Sequence, residues 1–583
     1  MKPLLKRYGR SKVLAFGLLA VMAIFVLQLF YLQIIRHGYY EDLAEKEHLA
    51  KFDVPAKRGK IYAREGENTI IPLVLNQPVY TAFGDPQEIK DKQKVIAAVQ
   101  RIAGGNVVEG FEKSLDDKKL RYVVLARQLT RQQAELLKKE GLFGVGLQEA
   151  DQRVYPEGSL AGQLLGYVNA DGKGQYGIEG ALDERLRGEP GVLQTITDVR
   201  RIPLTIGGND IRKAAKDGDD LVLTIDRNIQ AYAEQALKRG LDNAGATTGN
   251  IVVMDPNTGG VLAMANYPNY DPSKYNEITD YSVLQNRAVS EPFEPGSVIK
   301  VLSMGVGLDT GAVKKNSTFN NTGSIQVDDT EISNIEEDPI NPAATMTDVL
   351  HYSLNTGVVH VLQQMGGGQV NRQARDKLYE YYKNHFFFGK NTGIEQAGEQ
   401  PGILISPDEE QGNNVRYANM VFGQGVDMTM IQVASAFSAT MNGGTYYKPT
   451  LIYGVKEGDK IEKQKPQVVR KDVMTPANSA TLRDMTYQAR QLGLFKGKDK
   501  PGYIVGGKTG TSEIIDPTTG KYSEDNSIGT YLGFGGNEKP RYVIMIQVKD
   551  SKLPGYAGTV AAGPIFTDMS NWMIDYLKIP PVR

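Results

Sequence analysis

The chain contains no cysteine. That excludes a disulfide framework, a cysteine nucleophile, a thiolate zinc site and a cysteine-bound iron–sulfur cluster. Histidine is scarce: five residues (His37, His48, His351, His360, His385) are scattered along 583, and none belongs to an H-E-x-x-H pattern, which argues against a zinc hydrolase. Neither sign of charge is in excess. With 67 basic and 68 acidic residues the formal net charge is -1, so no nucleic-acid partner is expected. At 41% hydrophobic and 23% charged, the composition is that of folded protein and excludes global disorder or a collagen-like repeat. A chain of 583 residues predicts two or more domains.

One segment stands apart. Val13 to Ile35 runs for 23 residues without a charge, and a helix of that length spans the roughly 30 Å hydrocarbon core of a bilayer. Before it lie Lys2, Lys6, Arg7, Arg10 and Lys12 and no acid. The positive-inside bias then predicts a cytoplasmic tail (1–12), a single-pass anchor in the cell membrane (13–35) and an extracytoplasmic remainder. A cleaved signal peptide would have a shorter apolar region ending in small residues. Here the run ends Gln33-Ile34-Ile35-Arg36, which favours an uncleaved anchor.

Beyond the anchor, residues 39–51 read as a polar helix. Residues 52–215 mix short strand-like runs (Tyr122 to Leu125, Val192 to Thr197) with charged helical stretches such as Thr130 to Glu140, an extended α+β module. The texture changes near Asp217-Gly218-Asp219, predicting an N-terminal module over 36–216 and a second domain over 217–583. Leu221 to Asp226 reads as a strand, followed by a helical stripe of Ile229, Tyr232, Ala233, Ala236 and Leu237. Ile251 to Met254 and Val261 to Ala265 flank Asp255-Pro256-Asn257-Thr258-Gly259-Gly260, the pattern of an antiparallel hairpin. Helical stretches at Ser297 to Leu308 and Met430 to Met441 precede terminal strand-like runs that begin at Ile504. Strands, then helices, then strands predict an α+β fold with an antiparallel sheet flanked by helices.

Three short patterns carry chemistry. In EPFEPGSVIKVLS, Ser297 and Lys300 stand at i, i+3 just after Pro295-Gly296. On a helix they share a face. A serine hydroxyl needs an adjacent base to act as a nucleophile, and a lysine can be that base if burial or neighbouring positive charge lowers its pKa. Alone the pattern is weak, since roughly one or two Ser-x-x-Lys matches arise by chance in a chain this long. In HYSLNTG, Ser353 and Asn355 add a hydroxyl able to relay a proton and an amide able to hold Lys300 or a substrate peptide group. In IVGGKTGTSE, Lys508 and Gly510 fall on one face of a strand and Thr509 and Thr511 on the other. Lys508 supplies fixed positive charge, Gly510 allows close backbone approach, and the threonine hydroxyls can bind a carboxylate. The order of the three, at separations of 56 and 155 residues, is the strong signal.

Gly502 to Thr509 also matches G-x-x-x-x-G-K-[ST], a phosphate-binding loop. A helix should then open at Lys508-Thr509, but TGTSEIIDPTTG follows, with turn residues and no helical stripe. That reading is set aside.

The sequence resembles a class B penicillin-binding protein, a monofunctional peptidoglycan D,D-transpeptidase. Besides the three patterns, the likeness rests on Arg58-Gly59-Lys60-Ile61-Tyr62-Ala63-Arg64 (with Ala63 where the family has Asp), Arg153 to Val168, Tyr176-Gly177-Ile178-Glu179, LTIDRNIQ, VVMDPNTGGVLAMANYPNYDP and Gly423-Gln424-Gly425. Leu354 stands where the related Ser-Asp-Asn form has Asp. The resemblance implies a serine β-lactamase-like transpeptidase domain on a pedestal- or dimerisation-like module. It implies catalytic Ser297, Lys300, Ser353, Asn355 and Lys508, with Thr509, Gly510 and Thr511 binding substrate and the Ser297 and Thr511 N–H groups forming an oxyanion hole. Stem peptides of peptidoglycan and β-lactams would be its ligands, a polytopic membrane glycosyltransferase a partner, and no metal or organic cofactor is expected. The same site would also suit a D,D-carboxypeptidase or an idle cell-wall scaffold. The anchor gives the first prediction: the full chain sediments with membranes, whereas a chain beginning near residue 40 stays soluble. Intact, uncleaved protein in the soluble fraction would refute it.

Overall fold

The structure, a computed structural model, describes residues 9–40, 49–54, 56–196, 211–335, 339–515 and 522–582. The chain forms two compact units, one of residues 1–57 with 187–218 and one of 58–186 with 219–583.

In the first unit, helix Arg10–Phe30 continues through a wider turn at Tyr31–Ile35. Its 25-residue stretch Ser11–Ile35 has a mean hydropathy of 2.7 and buries none of it. At about 1.5 Å per residue it spans roughly 37 Å, enough to cross a bilayer. Gly191–Ile196 pairs antiparallel with both Leu49–Val54 and Ile211–Lys213. The expected polar helix over 39–51 therefore gives way to a strand from Leu49 onward, because long-range pairing with Gly191–Ile196 outweighs the local polar pattern. Residues 41–48 of that expectation, and Thr197, lie outside the described residues.

The second unit is built on two larger sheets. A five-stranded antiparallel sheet runs Val261–Tyr267, Thr248–Met254, Pro540–Lys549, Tyr522–Gly536, Ile504–Ile515, leaving the last strand at an edge. Its period-2 alternation fills two cores. Ile251, Val253, Ile544 and Ile546 pack on helices Arg227–Ala244 and Gly563–Tyr576. Val252, Met254, Val543 and Met545 face the core that holds Met430–Met441 and Ile299–Asp309. Every residue of Met430–Met441 is buried, each large apolar side chain stabilising by roughly 1.5–3 kcal/mol. Thr429 closes its N-terminus in a capping box with Gln432.

A seven-stranded sheet joins early and late chain. Ile61–Glu65 runs parallel to Asp220–Asp226, which pairs with Ile452–Glu457 on its other side. On the far flank, Thr69–Gly84 carries Val123–Leu129 and Val145–Val154. There Lys92–Ala103 and Arg131–Lys139 cover a separate small core around Val99, Phe111 and Leu125.

Three of the family-like segments meet in one ion cluster. Glu179, fully buried, accepts from Arg58 Nε and Nη2 (2.8 and 2.5 Å) on one oxygen and from Arg153 Nε and Nη2 (2.9 and 2.6 Å) on the other. Arg58 Nη1 also donates to Asp183 (2.7 Å), and Arg153 Nη1 to Asn76 Oδ1 (2.6 Å). These carboxylates hold the Arg58 guanidinium above its ordinary pKa despite desolvation, which alone would lower it. Ala63 lies fully buried in the main core, where a carboxylate would have to be desolvated. Glu179→Ala leaves two buried guanidinium groups without their shared partner, so it should destabilise by about 3–5 kcal/mol. Arg101→Ala, which breaks a surface pair, should cost under about 1 kcal/mol. Urea unfolding of the full chain followed by fluorescence checks both, and equal effects would contradict the assignment.

Candidate active site

Ser297 sits in a 3₁₀ turn, Gly296–Val298, that feeds directly into helix Ile299–Asp309. Apolar residues of that helix are buried on all sides, so Lys300, one turn after Ser297, is carried into the interior at 1% exposure. Its Nζ is held there by oxygens. Nζ donates to Asn355 Oδ1 (2.7 Å), to Ser353 Oγ (3.2 Å) and to the Ser353 carbonyl. Ser353 adopts φ +62°, and this left-handed conformation lets its carbonyl and its hydroxyl serve the same nitrogen. Asn355 opens helix Asn355–Met365, and its Nδ2 donates to the Ser333 carbonyl (2.9 Å), which fixes the amide's orientation.

Lys508, Thr509, Gly510 and Thr511 lie on the edge strand Ile504–Ile515. Lys508 is 5% exposed and Gly510 is buried, while Thr509 and Thr511 are half-buried, the division expected from strand alternation. Lys508 Nζ donates to the Thr509 carbonyl (2.9 Å) and hydroxyl (3.3 Å). A cleft of about 490 Å³ opens beside Lys508 and Thr509, walled by His351, Tyr352, Leu494 and Phe495.

The strand abuts the serine turn. Gly296 has φ +63°, and a Cβ there would lie 2.8 Å from the Thr511 carbonyl oxygen and 3.4 Å from its nitrogen. Thr530, opposite Gly510 in register, donates from Oγ1 to the Pro295 carbonyl (3.2 Å). All eight residues singled out from the sequence thus fall in two groups that share a border. Lys300, Ser353 and Asn355 are joined by hydrogen bonds, and the Lys508–Thr511 strand lies against the Ser297 turn. Among the described residues no cluster of three or more His, Asp or Glu could hold a metal ion.

Sequence reasoning missed the residues that brace the turn. Gly296 N donates to the Gly423 carbonyl (3.1 Å), and Gly425 N donates to Glu294 Oε1 (2.6 Å). Gly423, at φ +88°, would place a Cβ 2.1 Å from the Gly296 carbonyl oxygen. Gly558 N donates to Thr511 Oγ1 (3.3 Å) from the other side of the strand. The Gly-Gln-Gly triplet was the available signal, but nothing in its spacing pointed to Ser297.

This fold with this convergence defines a transpeptidase domain of the penicillin-binding kind. A model of the penicillin binding protein transpeptidase domain matches residues 249–571, and one of the penicillin-binding protein dimerisation domain matches 53–223. The chain belongs to the penicillin-binding proteins, and among them to class B. It is 31% identical to stage V sporulation protein D of Bacillus subtilis, over 98% of this chain and 86% of that one. It is 29% identical to penicillin-binding protein PbpB of Mycobacterium tuberculosis, over 97% and 84%. Among solved structures, it resembles penicillin binding protein 3 of M. tuberculosis complexed with aztreonam (TM-score 0.68, 26% identity, 91% of this chain and 98% of that one). It also resembles a peptidoglycan synthetase from Bifidobacterium adolescentis (TM-score 0.71, 25% identity, 92% and 98%).

Gly423→Ala should strain the backbone and displace the Gly296 carbonyl, at a cost of about 1–3 kcal/mol. Gly367→Ala has a similar positive φ of +78° but open space around it, so it tests strain without the clash. A smaller loss of thermal stability for Gly367→Ala is expected, and the reverse order would contradict the bracing role.

Proposed function

We propose that the chain is an extracytoplasmic D,D-transpeptidase that cross-links peptidoglycan stem peptides through an acyl-enzyme on Ser297. The observation that carries this reading is the pair of contacts just described: Lys300 bonded to Ser353 and Asn355, and the Gly296 turn pressed against Thr511.

Ser297 Oγ attacks the carbonyl carbon of the penultimate D-alanine. Lys300, in its neutral form, takes the hydroxyl proton. The peptide C–N bond breaks, and the terminal D-alanine leaves after its nitrogen receives a proton through Ser353. An amine of a neighbouring stem then attacks the ester, a new amide forms, and the proton released from that amine returns to Ser297. Asn355 orients Lys300 and the substrate's peptide group. Lys508, Thr509 and Thr511 hold the donor's terminal carboxylate, and Gly510 permits its close approach. The N–H groups of Ser297 and Thr511 stabilise the developing oxyanion, each such donor contributing about 3–4 kcal/mol in comparable sites. A β-lactam imitates the acyl-D-alanyl-D-alanine end and is attacked by the same oxygen.

The arrangement in the cell follows from the anchor and its basic flank: tail 1–12 in the cytoplasm, span 13–35, a membrane-proximal module over 36–216 and a catalytic domain over 217–583 outside. Likeness to the class B family makes a polytopic membrane glycosyltransferase supplying nascent glycan the expected partner.

Ser297→Ala should abolish covalent labelling by a fluorescent penicillin. Labelling at the wild-type level would remove Ser297 as nucleophile. Lys300→Ala should slow acylation by about 10²–10⁴-fold, the usual contribution of a general base. Stopped-flow rates near wild type would reject that role. Incubation with a donor peptide and an added D-amino acid acceptor should give the exchanged product. Hydrolysis alone would identify a carboxypeptidase.

A further inference from the structure

Away from the catalytic groups, tyrosines and glutamines gather around a separate pocket. Tyr167 and Tyr275 are stacked, with ring centroids 4.2 Å apart and planes 9° from parallel. Tyr176 lies 6.0 Å from Tyr167. On the two-stranded ribbon Tyr167–Val168/Gly174–Gln175, Tyr167 stands directly opposite Gln175, so the ring and the amide share a face. Next to them opens a pocket of about 320 Å³ lined by Gln175, Tyr176, Gln285, Ser290 and Gln400. It falls at the small end of the range for ligand cavities. No charged side chain lines it. Among the described residues, the side-chain amides of Gln175 and Gln285 make no hydrogen bond, which leaves their donors and acceptors open to a ligand.

The chemistry is selective. An aromatic face offers a flat apolar surface of the kind that packs on the C–H face of a sugar ring. A primary amide both donates and accepts, matching hydroxyl and acetamido groups, whereas an uncharged lining gives no partner to a carboxylate or an ammonium. Burial, and then the neighbouring Tyr176 and Tyr275, raise the Tyr167 pKa above its ordinary value. The lining segment Gln285–Ser290 leads to Ser297 only seven residues after Ser290.

We propose that Tyr176 and the amides of Gln175, Gln285 and Gln400, with the stacked Tyr167–Tyr275 pair behind Tyr176, form a saccharide subsite that takes a neutral N-acetylated hexosamine of the glycan strand. It rests on the reading of the chain as a peptidoglycan enzyme, because the glycan carries the stem peptides. Holding the strand beside the segment that leads to the nucleophile would restrain the attached donor peptide.

The test uses the full chain in nanodiscs, with Ser297 first acylated by benzylpenicillin so that the catalytic cleft is blocked. Tetra-N-acetylchitotetraose, a neutral peptide-free probe, is titrated by saturation-transfer NMR. Saturable binding is expected, weakened about tenfold or more in Tyr176→Ala and in Gln285→Ala. Their thermal midpoints should stay within about 2 °C of wild type, as for surface substitutions. Absence of saturable binding to the wild type, or equal affinity in both variants, would overturn the subsite. Failure of benzylpenicillin to acylate the wild type would instead refute the transpeptidase reading, so the two failures are distinguishable.

Discussion

The site depends on the buried amine of Lys300. Lys300 lies inside an apolar helix, where an amine without hydrogen-bond partners would be costly in either protonation state. Asn355 and Ser353 supply oxygens to it from a separate helix and the turn before it. The same contacts that make the lysine tolerable also fix its reach toward the serine turn. Removing them would therefore disturb stability and geometry together. Strain at Ser353 φ +62° is retained because it aims two oxygens of one residue at one nitrogen.

Local pattern made much of this legible. The helix stripe after Asp226, the hairpin around Asp255 to Gly260 and the alternation of Lys508 to Thr511 each depend on near neighbours, and each is found as read. Ser297, Lys300, Ser353 and Asn355 could be recognised because each brings a chemistry that the spacing of the others makes sense of. What stayed hidden was long-range. Nothing near Gly423 announces that its carbonyl will meet the Gly296 N–H, because that contact exists only once a helix has packed. Likewise the polar run near residue 50 looks helical until its distant strand partner is known.

The early chain is more than a spacer. Ile61–Glu65 hydrogen-bonds to Asp220–Asp226 in a common sheet, and Arg58, Arg153 and Glu179 lock three remote segments around one carboxylate. Buried ion pairs of this kind add little net stability over an apolar core, but losing one partner leaves the others uncompensated. Their contribution is to tie Arg58, Arg153 and Glu179, remote in the chain, to one another.

The strand bearing Lys508 ends its sheet, with no further strand beyond it among the described residues. Main-chain donors and acceptors along such a border can engage an extended peptide by strand addition. Recognition of that sort reads backbone and stereochemistry rather than side-chain identity. For a peptide bound in that way, variation at other positions of a stem would be tolerated, and discrimination would fall on the residues nearest the serine turn that abuts the strand.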